Sequence, residues 1–449
     1  ERSDQFELAK AGKVKVMVGP RSALFTPFEN LGLIIIDEEH DMAYKSEQVP
    51  RYHARETAIE RARLAQASVV LGSATPSMES YKKDKKGEYV LLTLPERAAQ
   101  KDMAECEIID LREELRLGNR SILSKRLQEL LSDRLQKKQQ SMLFLNRRGL
   151  MGFVSCRACG HVIKCPHCDV SMSLHRDGNL HCHYCGYQQD MPKKCPSCDS
   201  TYIGSFKAGT EKMEQMVSQL FPEARILRMD GDTTKGKNAH QEILARFANQ
   251  EADILIGTQM IVKGHDFSNV TLMGILAADM SLNATDYRCG ERTFDLLTQA
   301  AGRAGRGDLP GKVIIQTYQP DHYAILSAAK QDYEQFYVQE MAYRTLMHYP
   351  PAAHLLALLI TSQQKNIACE VSKKIADTIA DSFHNIVILG PKDAAISKLS
   401  DIYRQEIFLK ALSWNELIEV KDVLEQEMKN NMLYRKVNIW FDFDPMNGF

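Results

Sequence analysis

Eight of the chain's 11 cysteines lie between Cys156 and Cys198, arranged as four Cys-x-x-Cys pairs: Cys156/Cys159, Cys165/Cys168, Cys182/Cys185 and Cys195/Cys198. A secreted disulfide scaffold spreads its cysteines through a short chain, whereas clustered pairs point to metal. Each pair supplies two thiolates to a tetrahedral Zn²⁺, so four pairs make two closed four-cysteine sites. Three pairings are open. Joining Cys165/Cys168 to Cys182/Cys185 leaves 13 residues between them and nests that site inside Cys156/Cys159 with Cys195/Cys198. Sequential pairing leaves five residues between the first two pairs, which is tighter. Closed sites have no position for a substrate, so the zincs are structural; binding worth roughly 10–16 kcal/mol per site would organise a segment with few core residues. His161, His167, His175, His181 and His183 are substitute ligands, but eight thiolates already fill two sites. A redox dithiol needs fewer pairs. With its thiolates and zincs counted, the block is net negative, which fits partner docking or contact with strand ends better than a basic clamp.

Around this block the chain reads as α/β. At roughly 150 residues per domain, 449 residues suggest about three domains. Apolar runs at Lys15 to Val18, Leu33 to Ile36 and Val69 to Leu71 alternate with a helix near Arg55 to Gln66, as in a parallel sheet. Residues 93–123 are charged and poorly periodic, and read as a connector. A second set follows, with strands near Met142, Arg225, Asp253, Leu272 and Val313. The last hundred residues read β-α-β-β-α-β, a ferredoxin-like or similar small α+β pattern. Lysine and arginine number 57 against 58 acids, so bulk positive charge draws no nucleic acid here. No apolar run spans a bilayer and no signal-peptide core opens the chain, so we expect a soluble, cytoplasmic protein without a membrane partner.

Four local patterns carry chemistry. Leu33 to Ile36 runs into Asp37-Glu38-Glu39-His40, which places acids at the carboxyl edge of a sheet. Phosphoanhydride hydrolysis needs Mg²⁺ near the phosphates and a base that orients water; Asp37 suits the metal and Glu38 the base. The plainer reading is an acidic cap on the next helix. Ser73 and Thr75, after the next strand, either link the acid pair to nucleic acid or form a turn. Gln299 to Arg306 sets Arg303 and Arg306 three residues apart among small neighbours that let a ligand approach. Their guanidinium groups suit a γ-phosphate, or stand solvated at a basic helix end. Tyr44-Lys45 and Arg51-Tyr52-His53 interleave rings with bases, which suits single strands, or pack on the lobe surface. Thr258, Gln259 and Lys263 follow a second-lobe strand and suit phosphates; otherwise Lys263 is a solvated charge.

Together these residues resemble the RecA-like motor lobes of superfamily 2 helicases. Asp37-Glu38-Glu39-His40 looks like the DExH Walker B motif, Ser73-Ala74-Thr75 like motif III, and Gln299 to Arg306 like the QxxGRxGR motif VI. More narrowly, Arg21 to Phe28, Phe144 to Gly149 and Gly257 to Phe267 resemble the PriA family of primosomal helicases, over essentially the whole chain. The resemblance implies two RecA-like parallel-sheet lobes, the first truncated, a zinc-ribbon-like insertion with two four-cysteine sites, and a small α+β C-terminal domain. Residues 1–92 would be the partial first lobe, 93–123 the connector, 124–155 and 200–345 the second lobe, 156–199 the insertion and 346–449 the last domain. It implies the nested zinc pairing, an ATP site with Mg²⁺ built from Asp37, Glu38, Glu39, His40, Gln299, Arg303 and Arg306, and an aromatic-rich loop that senses DNA. Where many relatives carry Trp in that loop, this chain has Pro50. The implied activity is ATP-dependent 3′-to-5′ unwinding at stalled forks with primosome assembly. Single-stranded and forked DNA, primosome proteins and single-strand-binding protein are the implied partners.

The P-loop pattern Gly-x-x-x-x-Gly-Lys-Ser/Thr does not occur; Lys235-Gly236-Lys237 lacks its spacing and hydroxyl. In the family, that segment and an N-terminal DNA-binding domain precede the motif at Arg21. We therefore expect a C-terminal portion of a longer protein, without ATPase activity alone. The competing readings are a zinc-dependent assembly scaffold and a DNA-translocating subunit of a restriction system, the latter disfavoured because no nuclease carboxylate cluster is visible.

Overall fold

Ile34, Ile35 and Ile36 are β-branched and suit a strand. In the computed structural model Leu33–Ile36 pairs in parallel with Ser68–Leu71, Ile34 opposite Val69, and helix Ala54–Ala65 forms the crossover. The structure describes residues 2–94, 103–145, 154–168, 170–175, 177–205, 209–236, 238–262, 267–283, 286–305, 307 and 309–446. They fall into two compact units, residues 1–91 with 444–446, and the remainder. In the first unit, the strand expected at Lys15 to Val18 does not form. That segment, with a bend at Lys15, joins no ladder, and Val16 and Val18 are exposed. Alternating apolar residues alone do not make a strand when no neighbour accepts its hydrogen bonds.

The second unit contains a six-stranded parallel sheet. Its order is Ile226–Met229, Ile254–Gly257, Gln140–Leu145, Val270–Leu276, Lys312–Thr317 and Glu105–Asp110. Met142, Leu143, Phe144 and Leu145 are fully buried in the middle of it, each contributing roughly 1.5–3 kcal/mol of burial free energy. Glu105–Asp110 corrects the reading of residues 93–123 as a mere connector. This edge strand hides its apolar signal behind charges, because Glu105 and Glu107 pair with Lys312 on the neighbouring strand. Helices Lys125–Gln136 and Thr210–Leu220 cover the sheet through Leu127, Leu131, Met213 and Val217.

The C-terminal part adds a four-stranded antiparallel sheet ordered Val387–Leu399, Ile402–Ala411, His354–Ser362, Asn438–Phe443. With helices Lys365–Ser382 and Trp414–Asn430 this is the expected β-α-β-β-α-β split arrangement. Ile367, Val371, Ile375 and Ile379 of one helix and Leu417, Val420 and Leu424 of the other share a core with Leu356, Leu358 and Ile360. The second strand of this domain, Val387–Leu399, forms a long hairpin with its neighbour Ile402–Ala411.

The opposite sheet face meets the cysteine block. Tyr184 packs 5.1 Å from Phe408, Tyr349 stacks on Tyr287 at 4.7 Å, and the Lys410 ammonium sits 3.6 Å from the Tyr349 ring centroid. Nearby, fully buried Arg344 donates to Glu340, Glu291 and the Pro350 carbonyl. It thereby ties helices Cys289–Ala301 and Tyr333–Leu346 to the start of the C-terminal domain.

Candidate nucleotide site and zinc centres

The strand Leu33–Ile36 ends one residue before Asp37, and backbone bonds continue beyond it. Gly72 donates to Ile36 and Glu39 donates to Gly72. The acidic turn is thus bound to the loop that follows the neighbouring strand. Asp37 and Glu38 remain exposed, and the Asp37 carboxylate accepts from the Glu38 amide at 3.0 Å. Glu38 takes a left-handed backbone, φ 49°, which turns the chain sharply. His40 Nε2 lies 3.6 Å from the Glu38 carboxylate, and its Nδ1 lies 2.6 Å from Ser73 Oγ. Ser73 Oγ in turn accepts from the Thr75 amide at 3.0 Å. The Thr75 hydroxyl is buried with no hydrogen-bond partner among the described residues. Asp37, Glu38, His40, Ser73 and Thr75 are therefore brought together.

Glu39 is not part of that group. It is buried, accepting from the Ser77 amide, the Ser77 and Ser80 hydroxyls, and Arg55. Glu39, expected at the nucleotide, is instead held inside the fold, and Arg55 is the partner of that buried carboxylate. Lys45 is also buried. His53 caps helix Ala54–Ala65 by accepting from the Arg55 amide, and burial beside the Arg55 cation pushes its pKa down to about 3. A neutral, half-buried imidazole that caps a helix is not a phosphate-binding cation.

An open cleft of about 830 Å³ joins the acid pair to the aromatic loop, lined by Arg21, Asp37, Glu38, Tyr44, Pro50 and Tyr52 among others. The Tyr44 hydroxyl donates to the Asp37 carbonyl at 2.7 Å. Burial and the nearby acids Asp37, Asp41 and Glu38 raise its pKa, which keeps it a donor. Tyr52 meets Phe25 edge-on at 5.2 Å, and Arg51 sits beside it, half-buried. Arg21, which residue chemistry alone did not single out, donates to the Ala43 carbonyl at 2.9 Å and also to that of Lys45. Arg61 holds the Arg21–Phe25 turn through the Leu24 and Thr26 carbonyls. An arginine followed by a short apolar turn has too many other uses for this clamp to be visible beforehand.

In the second unit, half-buried Gln299 lies on helix Cys289–Ala301 and Arg303 just beyond it. Arg306 and Lys263 lie outside the described residues. The small residues of this run serve the fold: Gly305 has φ 72°, and a Cβ there would meet the Gly311 amide at 2.5 Å. Thr258 and Gln259, half-buried, follow strand Ile254–Gly257 at its carboxyl end.

The cysteines gather into two groups of four, Cys156, Cys159, Cys195 and Cys198, and Cys165, Cys168, Cys182 and Cys185, with thiol sulfurs within 4.8 Å of one another in each. This is the nested pairing. Strands Val154–Cys156 and Ile203–Ser205 close the outer site, and Ser173–Leu174, Asn179–His181 and Gln188–Asp190 form a meander beside the inner one. Amides of Tyr184 and Ser197 donate to Cys182 and Cys195 sulfurs at 3.4 Å, as in knuckles that orient thiolates. Four soft donors in so small a space fit Zn²⁺, which would cross-link each group. The first knuckle abuts the sheet unit: a Cβ on Gly160 would lie 2.2 Å from the Tyr318 carbonyl. The second meets the C-terminal domain, Tyr349 donating to the Cys168 carbonyl at 3.2 Å. No helix among the described residues is long and apolar enough to cross a membrane.

Residues 165–189 match the family described as PriA DNA helicase Cys-rich region (CRR) domain, 201–308 the Helicase conserved C-terminal domain, and 345–446 the Primosomal protein N C-terminal domain. The chain is 46% identical over 447 residues to Replication restart protein PriA of Bacillus subtilis, covering 99% of this chain and 56% of that protein. It is 42% identical to the protein of that name from Synechocystis, covering 100% and 54%, and 41% identical to that from Chlamydia pneumoniae, covering 100% and 60%. The chain thus spans a little over half the length of these curated relatives. Nested four-cysteine clusters, a parallel helicase C-terminal sheet, a split β-α-β-β-α-β domain and identity sustained across all three place this chain in the PriA family of replication restart proteins.

Proposed function

We propose that the chain carries motor, zinc-binding and C-terminal parts of an ATP-dependent 3′-to-5′ DNA helicase that acts at stalled replication forks and promotes primosome assembly. The reading rests above all on the linkage Glu38–His40–Ser73–Thr75, which joins an exposed acid pair to a hydroxyl loop at the carboxyl ends of adjacent parallel strands. Asp37 would hold Mg²⁺, which neutralises phosphate charge when bound, and Glu38 orients and deprotonates the attacking water. Gln299, Arg303 and Arg306 are the second lobe's candidates for phosphate binding, and His40 passes the state of the acid pair to Ser73. Tyr44, Arg51 and Tyr52 engage single-stranded DNA, and Thr258, Gln259 and Lys263 follow its phosphates. The two zincs are structural. Primosome proteins and single-strand-binding protein are the partners at a fork, in the cytoplasm. A P-loop does not occur in these 449 residues, so the chain by itself does not turn ATP over.

The test is made in protein that includes a P-loop. Glu38→Gln is expected to lower unwinding of a forked duplex about 100-fold or more, with zinc content unchanged. Unwinding at the parental rate would overturn the assignment.

A further inference from the structure

Beside the inner four-cysteine group lies a histidine cluster that the zinc and nucleotide sites leave unused. His175, on the hairpin of the meander, and His183, between Cys182 and Cys185, face each other with Nε2 atoms 3.4 Å apart. That gap is long for an N–H···N hydrogen bond, since N–H hydrogen bonds centre near about 2.9–3.0 Å. It equals the separation of two nitrogens that each sit about 2.0–2.1 Å from one tetrahedral metal ion, roughly 3.3–3.4 Å.

The surroundings orient one of the two rings. His181 stacks on His175 at 4.1 Å, and its Nε2 is engaged by Asp177 at 2.8 Å. Asp177 is itself fixed, accepting from the Asn179 amide at 2.9 Å. His181, held in this way, fixes the plane of the His175 ring it stacks on. The local charge also favours a cation. The inner four-cysteine group with one divalent ion retains two negative charges, and Asp177 adds another. Lys392, the base near His183, is neutralised by its buried partner Glu406.

We propose that His175 and His183 form a third metal site, for a divalent ion of the zinc, cobalt or nickel type, with water completing the coordination. Imidazole nitrogen suits these ions. With two protein ligands the site binds more weakly than the four-cysteine groups and exchanges its ion. Bound there, the ion ties the hairpin tip to the inner knuckle.

The test uses the whole chain with both four-cysteine groups zinc-loaded, dialysed against micromolar free zinc, and zinc per chain measured. Three equivalents are expected, falling to two in His175→Gln and in His183→Gln. Two equivalents in the parent, or three in both variants, overturns the site. Should a variant also lose a thiolate-bound zinc, the parent decides: Co²⁺ added to zinc-loaded protein must give paramagnetically shifted His175 and His183 ring resonances. Their absence equally overturns it.

Discussion

The Tyr44 phenol and the backbone carbonyl of Asp37 are joined by a 2.7 Å hydrogen bond, so the aromatic loop is physically attached to the acid turn. Arg21 also holds the loop, gripping the Ala43 and Lys45 carbonyls. A displacement of the Tyr44 ring would therefore pull on the segment that carries Asp37 and Glu38.

Tyr44→Phe keeps the ring and deletes that bond. In protein that includes a P-loop, DNA-stimulated ATP hydrolysis is expected to fall about fivefold, the equivalent of a hydrogen bond of about 1 kcal/mol, with affinity for single-stranded DNA retained. Equal stimulation in the two proteins would show that the bond carries no signal.

Glu39→Gln takes away the buried carboxylate that Arg55 faces and leaves it only the half-exposed Glu56. Breaking such a pair costs about 3–5 kcal/mol, so the first unit should unfold at markedly lower urea. A variant with the parental midpoint would mean that Arg55 finds water.

Acid should loosen the same unit. His53 is pushed from its ordinary 6.5 to about 3, chiefly by burial, so the unfolded chain takes up the proton first. The stability that the neutral ring contributes is fully present above pH 6.5 and is lost as pH falls from there towards 3. His53→Asn keeps a capping acceptor and removes the proton uptake. Denaturation midpoints should then depend less steeply on pH between about 6 and 4 than in the parent, the window set by that depressed pKa.

Chelating zinc should release the C-terminal domain from the cysteine block. Cys165, Cys168 and Cys182 share a core with Tyr184, Leu355, Ala357 and Phe408, so loss of the knuckle uncovers that sheet face. Amide exchange at Leu355 and Ala357 is expected to accelerate, with little change at Leu255 and Ile256 in the buried parallel sheet. Equal protection before and after chelation would show that the domain holds without metal.

The contrast between Glu38 and Glu39 shows where sequence reading stops. Both follow the same strand and have the same chemistry, yet one is exposed and the other is locked between Arg55, Ser77 and Ser80. The partners lie 16 to 41 residues away in sequence, and nothing in the local pattern names them. Glu105–Asp110 was hidden for a related reason: an edge strand is half solvated, so its charges mask its period. Strongly periodic elements such as Lys365–Ser382 were legible, because one face carries all the burial.

By itself, the order of residues determined the kinds of element, the clustered thiols and the acids that end an apolar strand, since these depend on spacing along the chain. Tertiary structure alone decided which carboxylate faces solvent, which arginine grips the aromatic loop, and that His175 meets His183. Each of those depends on distances between segments far apart in sequence, and these distances are set by packing.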